Sequence, residues 1–65
     1  MPDFRVYRVR GRHWTLEGSE GDLRAARRLA QCAMKSRPEI DRARIVRGFD
    51  VVETLDRATL ARSAV

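Results

Sequence analysis

His13 and Cys32 are the side chains best suited to acid-base or covalent chemistry, and each is the only one of its kind in the 65-residue chain. A general base works from a shielded pocket, whereas His13 lies beside a predicted exposed turn at Gly11-Arg12. A reactive thiolate needs a cation, a histidine or a helix N-terminus next to it. Cys32 falls in the middle of a predicted helix with none of these, as a small, semi-buried residue. The carboxylates form two groups. Glu17, Glu20 and Asp22 surround a predicted helix start, where they serve capping; Asp50 and Glu53 lie opposite Arg47 and Arg44 across a predicted hairpin. Gly11, Gly18, Gly21 and Gly48 match neither the GxGxxG nor the GxxxxGK spacing of phosphate-cradling loops. One cysteine and one histidine provide neither an intrachain disulfide nor a zinc ligand set. The expectation is a non-enzymatic protein with no catalytic residues, metal or cofactor.

Charge is the stronger signal. There are 14 Lys and Arg against 9 Asp and Glu, a formal net charge of +5, and Lys35 is the only lysine. Arginine presents a planar fork of donors that matches phosphate and carboxylate geometry, and a positive balance favours anionic partners. A G+C-rich genome produces the same arginine excess, so placement carries the argument rather than abundance. One cluster, Arg8, Arg10, Arg12 and His13 with Arg5 assisting, falls on a predicted hairpin. A second, Arg24, Arg27, Arg28 and Lys35, falls on the outer arc of a predicted helix.

The elements that position these clusters follow from local pattern. Phe4 to Arg10 and His13 to Glu17 are rich in aromatic and β-branched residues and predict two strands joined by a type II′ turn with Gly11 at its first central position. In that register Val9 pairs with Trp14 and Tyr7 with Leu16 on an apolar face, while Arg10 pairs with His13 and Arg8 with Thr15 on a basic face. Phe4 and Val6 then fall on the basic side, which requires either cover from the C-terminal segment or a bulge. Ser19 with Asp22 predicts a helix start, and Pro38 ends the helix at Arg37. Leu23, Ala25, Ala26, Leu29, Ala30, Cys32, Ala33 and Met34 share one arc, which is expected to lie on the hairpin's apolar face with Trp14 and Leu16 filling the space beside the alanines.

After a linker from Arg37 to Arg42, Ala43 to Arg47 and Asp50 to Leu55 predict a second hairpin around Gly48-Phe49. Its expected pairs are Arg47 with Asp50, Val46 with Val51, Ile45 with Val52 and Arg44 with Glu53. Residues 56–65 are expected to form a short helix or a frayed tail. The prediction is one α+β domain over residues 1–65: ββαββ, a four-stranded antiparallel sheet with the third strand beside the first and one long helix on one face.

Nothing in the chain has the pattern of a signal peptide or a membrane span, and the lone cysteine suits a reducing compartment, so a soluble cytoplasmic protein is expected. A domain this short buries only about 60% of the surface its unfolded chain exposes, which makes a partner or a homodimer a natural supplement. With Tyr7 and Trp14 expected in the core, few rings remain for stacking on single-stranded bases. The first expectation is therefore duplex nucleic acid bound by Arg5, Arg8, Arg10, Arg12 and His13, with the basic helix face as the alternative surface. The competing expectation is a protein-binding or inhibitory module of the kind mobile elements encode, docking on an acidic surface of a larger partner or dimerising through an edge strand. It would use Val46, Phe49 and Val51.

Overall fold

The computed structural model describes residues 3–58. Its elements are β1 (Phe4–Arg10), β2 (His13–Glu20), α1 (Leu23–Ser36), β3 (Arg42–Arg47) and β4 (Asp50–Asp56). The strands form one antiparallel sheet in the order β2-β1-β3-β4, an α+β ββαββ arrangement with the helix between β2 and β3. Of the expected C-terminal helix with Ala58, Leu60 and Ala61, residues 59–65 lie outside the described residues.

Local chemistry sets the helix ends. The Asp22 carboxylate accepts a hydrogen bond from the Ala25 backbone N–H at 2.8 Å and caps the N-terminus,. The expected start at Ser19 is corrected, because β2 continues through Ser19 to Glu20 and uses those residues for pairing with Arg5 and Phe4. At the other end the Arg57 guanidinium donates to the carbonyls of Met34 and Arg37, both at 2.7 Å. It satisfies carbonyls left without helical partners and brings a cation to the negative end of the helix dipole,.

The register of the first hairpin is as predicted near the turn: Arg10 opposite His13, Val9 opposite Trp14, Arg8 opposite Thr15 and Tyr7 opposite Leu16. The face that packs on the helix is the opposite of the expected one. The core consists of Val6, Ala26, Ala30, Met34, Ile40, Ala43, Ile45 and Leu55, flanked by Phe4, Leu23 and Leu29. Trp14 and Leu16 are 45% and 55% exposed. The reason lies in β3, which pairs Ile45 with Val6 and Ala43 with Arg8. One face of β3 carries Ala43 and Ile45; the other carries Arg42 and Arg44, which a helix could not cover without leaving charge buried. Phe4 and Val6 are thus covered by α1 itself. The helix meets the sheet through Ala26, Ala30, Ala33 and Met34, spaced to form one stripe,. Cys32, expected to be semi-buried, is exposed and projects away from that stripe,.

Each edge strand carries a bulge. In β2 Gly18 faces Val6 while Leu16 faces Tyr7, so Glu17 is the extra residue,. A Cβ on Gly18 would lie 2.9 Å from the Leu29 Cδ2, so a larger residue here would make the end of the Leu29 side chain shift. In β4 the pairs Arg47–Asp50 and Val46–Val51 are as predicted, after which the register shifts to Ile45–Glu53, Arg44–Thr54 and Ala43–Leu55. The expected pairs Ile45–Val52 and Arg44–Glu53 are corrected. The extra residue, Val52, turns Leu55 into the core and Glu53 toward the helix, where its Oε2 lies 2.6 Å from the Arg27 Nε.

Ile45→Ala removes a fully buried side chain and should cost about 2–5 kcal/mol, enough to erase a cooperative thermal transition in a domain of this size. Trp14→Ala should cost less, because nearly half of that residue is already in water. Thermal circular dichroism of the two variants gives the order directly, and a larger loss for Trp14→Ala would contradict this placement of the core.

Candidate nucleic-acid interface

Gly11 has φ +60° and no non-glycine residue among the described residues has positive φ, which is the φ pattern of a type II′ turn at Gly11-Arg12,. Pairing between β1 and β3 stops at Val9–Arg42, so the hairpin tip stands beyond the third strand. Asp41 holds its base. The Asp41 backbone N–H donates to the Val9 carbonyl at 2.9 Å, and the Gly11 N–H donates to the Asp41 Oδ2 at 2.8 Å.

The predicted basic residues divide into three groups. Arg10, Arg12 and His13 are exposed and have no ion pair or hydrogen-bonding side-chain partner among the described residues. Together with Arg8, Gly11 and Thr15 they line an open surface concavity of about 630 Å³. Arg8 is committed differently: its Nη1 lies 2.6 Å from the Glu17 Oε2, and both side chains are largely covered. This pair ties the bulge of β2 to β1, so Arg8 braces the tip more than it offers free charge. Arg5 is not part of the group. It projects from the other face of β1 and lines a smaller concavity of about 230 Å³ with Asp3, Gly48 and Phe49,.

On the helix, Arg24, Arg27, Arg28 and Lys35 are all exposed. Arg27 is paired with Glu53, leaving three cations toward solvent. Because the helix covers the Val6 side of β1, strand alternation places Arg8 and Arg10 on the same side of the sheet as α1. Had the helix packed on the Tyr7 and Val9 face, as the sequence pattern predicts, the two basic clusters would lie on opposite sides; they share one. The proposed protein-contact residues gather near the β3–β4 turn, with Phe49 fully exposed, Val51 half-exposed and Val46 partly covered.

A third grouping escaped the sequence. Tyr7 and Trp14 have ring centroids 5.8 Å apart at an interplanar angle of 57°, and the Arg44 guanidinium carbon lies 4.6 Å from the Trp14 ring centroid. The signal that could have found it was the strict alternation in β3, which puts Arg44 beside Tyr7 once β3 is placed next to β1.

No group of three or more potential metal ligands occurs among the described residues, and no helix among them is long and apolar enough to cross a membrane. Comparison of the chain with known protein families, with curated proteins and with solved structures finds no match. Asp41→Ala should release the tip at a cost of about 1 kcal/mol. Faster hydrogen exchange at the Gly11 amide, with core amides much less affected, is the expected signature.

Proposed function

We propose that this chain is a small, non-enzymatic nucleic-acid-binding module that grips duplex nucleic acid with the tip of its first hairpin. The supporting observation is the set of exposed, unpaired Arg10, Arg12 and His13 on a two-stranded ribbon that projects past β3. A ribbon of this width fits a major groove, and arginine forks match phosphates as well as guanine edges. Arg8 supports the tip through Glu17, and Arg24, Arg28 and Lys35 add positive potential on the same side. The reducing environment of the cytoplasm suits the exposed free thiol of Cys32,.

A protein partner is the second reading, favoured by the full exposure of Phe49 and the half exposure of Val51. An acidic partner surface would fit the charge balance, and an edge strand would serve a homodimer.

The Arg10→Glu, Arg12→Glu double variant should abolish duplex binding measured by fluorescence anisotropy. The wild-type affinity should fall with salt, with a slope of about −0.9 per phosphate contacted. Arg5→Glu, on the other face, should leave duplex affinity within about twofold of wild type, since it reaches only the diffuse field. Unchanged duplex affinity in the folded double variant would remove the tip from consideration. A salt-resistant protein complex broken by Val51→Asp would favour the second reading.

A further inference from the structure

We propose that the sheet face turned away from α1 is a separate binding surface for single-stranded nucleic acid, with a base stacked at the Trp14–Arg44 pair and backbone phosphates held by Arg44 and Arg5. This goes beyond the hairpin tip. It uses different side chains on the opposite face and recognises unstacked bases, which a duplex does not present.

Strand alternation and register define the surface. Arg5, Tyr7 and Val9 of β1 lie between Leu16 and Trp14 of β2 and Arg42, Arg44 and Val46 of β3. Arg44 and Trp14 stand on strands separated by β1, so the 4.6 Å stack requires the arginine side chain to cross β1. Val9 lies on this same face and is only 2% exposed, although no helix among the described residues covers it. Trp14, Tyr7 and the Arg44 guanidinium thus form a contiguous series of flat groups on a pleated floor, with 45% of Trp14 still open.

Arg44 is poised but unsatisfied. Its Nε is buried without a hydrogen-bond partner, while its terminal nitrogens are not buried and likewise have none among the described residues. A buried donor without a partner is costly, and an arriving phosphate oxygen at the terminal nitrogens would compensate the charge through charge-assisted bonds. Arg5 also lacks an ion pair among the described residues.

Charge and shape select the occupant. A second copy on this face would oppose arginine with arginine and bury Arg44 without an acid. An acidic polypeptide would satisfy the guanidinium groups but leave the rings unused. A duplex hides its base faces and meets a sheet poorly. A single strand supplies phosphates for the arginines and a π-face for the Trp14–Arg44 stack at once.

Trp14 is the sole tryptophan, so its fluorescence reports on this surface. The probes are a single-stranded oligothymidylate, a duplex of equal charge and poly-glutamate, each titrated into the full chain. Oligothymidylate should quench Trp14 in a saturable way, and poly-glutamate should not. Arg44→Lys keeps the charge but loses the planar stack, and it should weaken oligothymidylate about tenfold. Leu16→Glu, at a site 55% exposed and outside the helix-side core, should weaken it as well and remains informative if Arg44→Lys unfolds. The Arg10→Glu, Arg12→Glu variant should retain quenching, which separates this surface from the tip. Absence of quenching, equal quenching by poly-glutamate, or wild-type affinity in folded Arg44→Lys and Leu16→Glu would each overturn the proposal.

Discussion

The structure depends on one contact: the alanine stripe of α1 lying on the strip formed by Val6, Ala43 and Ile45. Small side chains at Ala26, Ala30 and Ala33 let the helix approach closely, and Met34, Ile45 and Val6 are the largest fully buried side chains between helix and sheet. A sheet of four strands has two faces, and the single helix of the described residues covers one. Once the helix chooses the Val6 side, Tyr7, Trp14 and Leu16 must stay on the other, and every arginine on the strands is assigned to a side by the same choice.

That assignment divides the basic residues by role. Arg8 braces a bulge through Glu17, Arg27 bridges α1 to Glu53 of β4, and Arg57 closes the end of the helix. Arg47 lies over the Phe4 ring, with its guanidinium carbon 5.4 Å from the ring centroid, and shields that end of the core. The exposed Arg27–Glu53 pair contributes little stability, but each of these contacts fixes where a strand or helix end sits,. Arginines without such work are found at the hairpin tip, on the outer side of α1 and on the sheet face turned away from it. Net charge alone could not distinguish an arginine that holds the fold from one that is free to meet a partner.

Both hairpin turns were legible because their information is local: Gly11 and Gly48 take positive φ, and the pairs flanking each turn follow directly. The strand order and fold class followed from element order and short connections. The face of β1 was not legible in isolation, since Phe4 and Val6 on one side and Tyr7 and Val9 on the other are equally apolar. Only the non-local pairing with β3 decides between them. A bulge in the first hairpin was one of two options for Phe4 and Val6, but its position at Glu17 and the bulge at Val52 were not legible, because two-fold alternation cannot register an inserted residue until the far end of the strand finds its partner,. For the candidate sites, the cationic tip was visible in sequence. The Tyr7–Trp14–Arg44 stack was not, since its members come from three strands.

The two bulges also bear on how copies of this chain meet one another. β2 and β4 are the outer strands, and each has an inserted residue within its length. A regular edge displays backbone donors and acceptors in a uniform rhythm on which a foreign strand can template; an inserted residue throws that rhythm out of phase and sharpens the local twist. The inserted Val52 that turns Leu55 into the core thus also leaves only short regular stretches of β4 on which another strand could pair,.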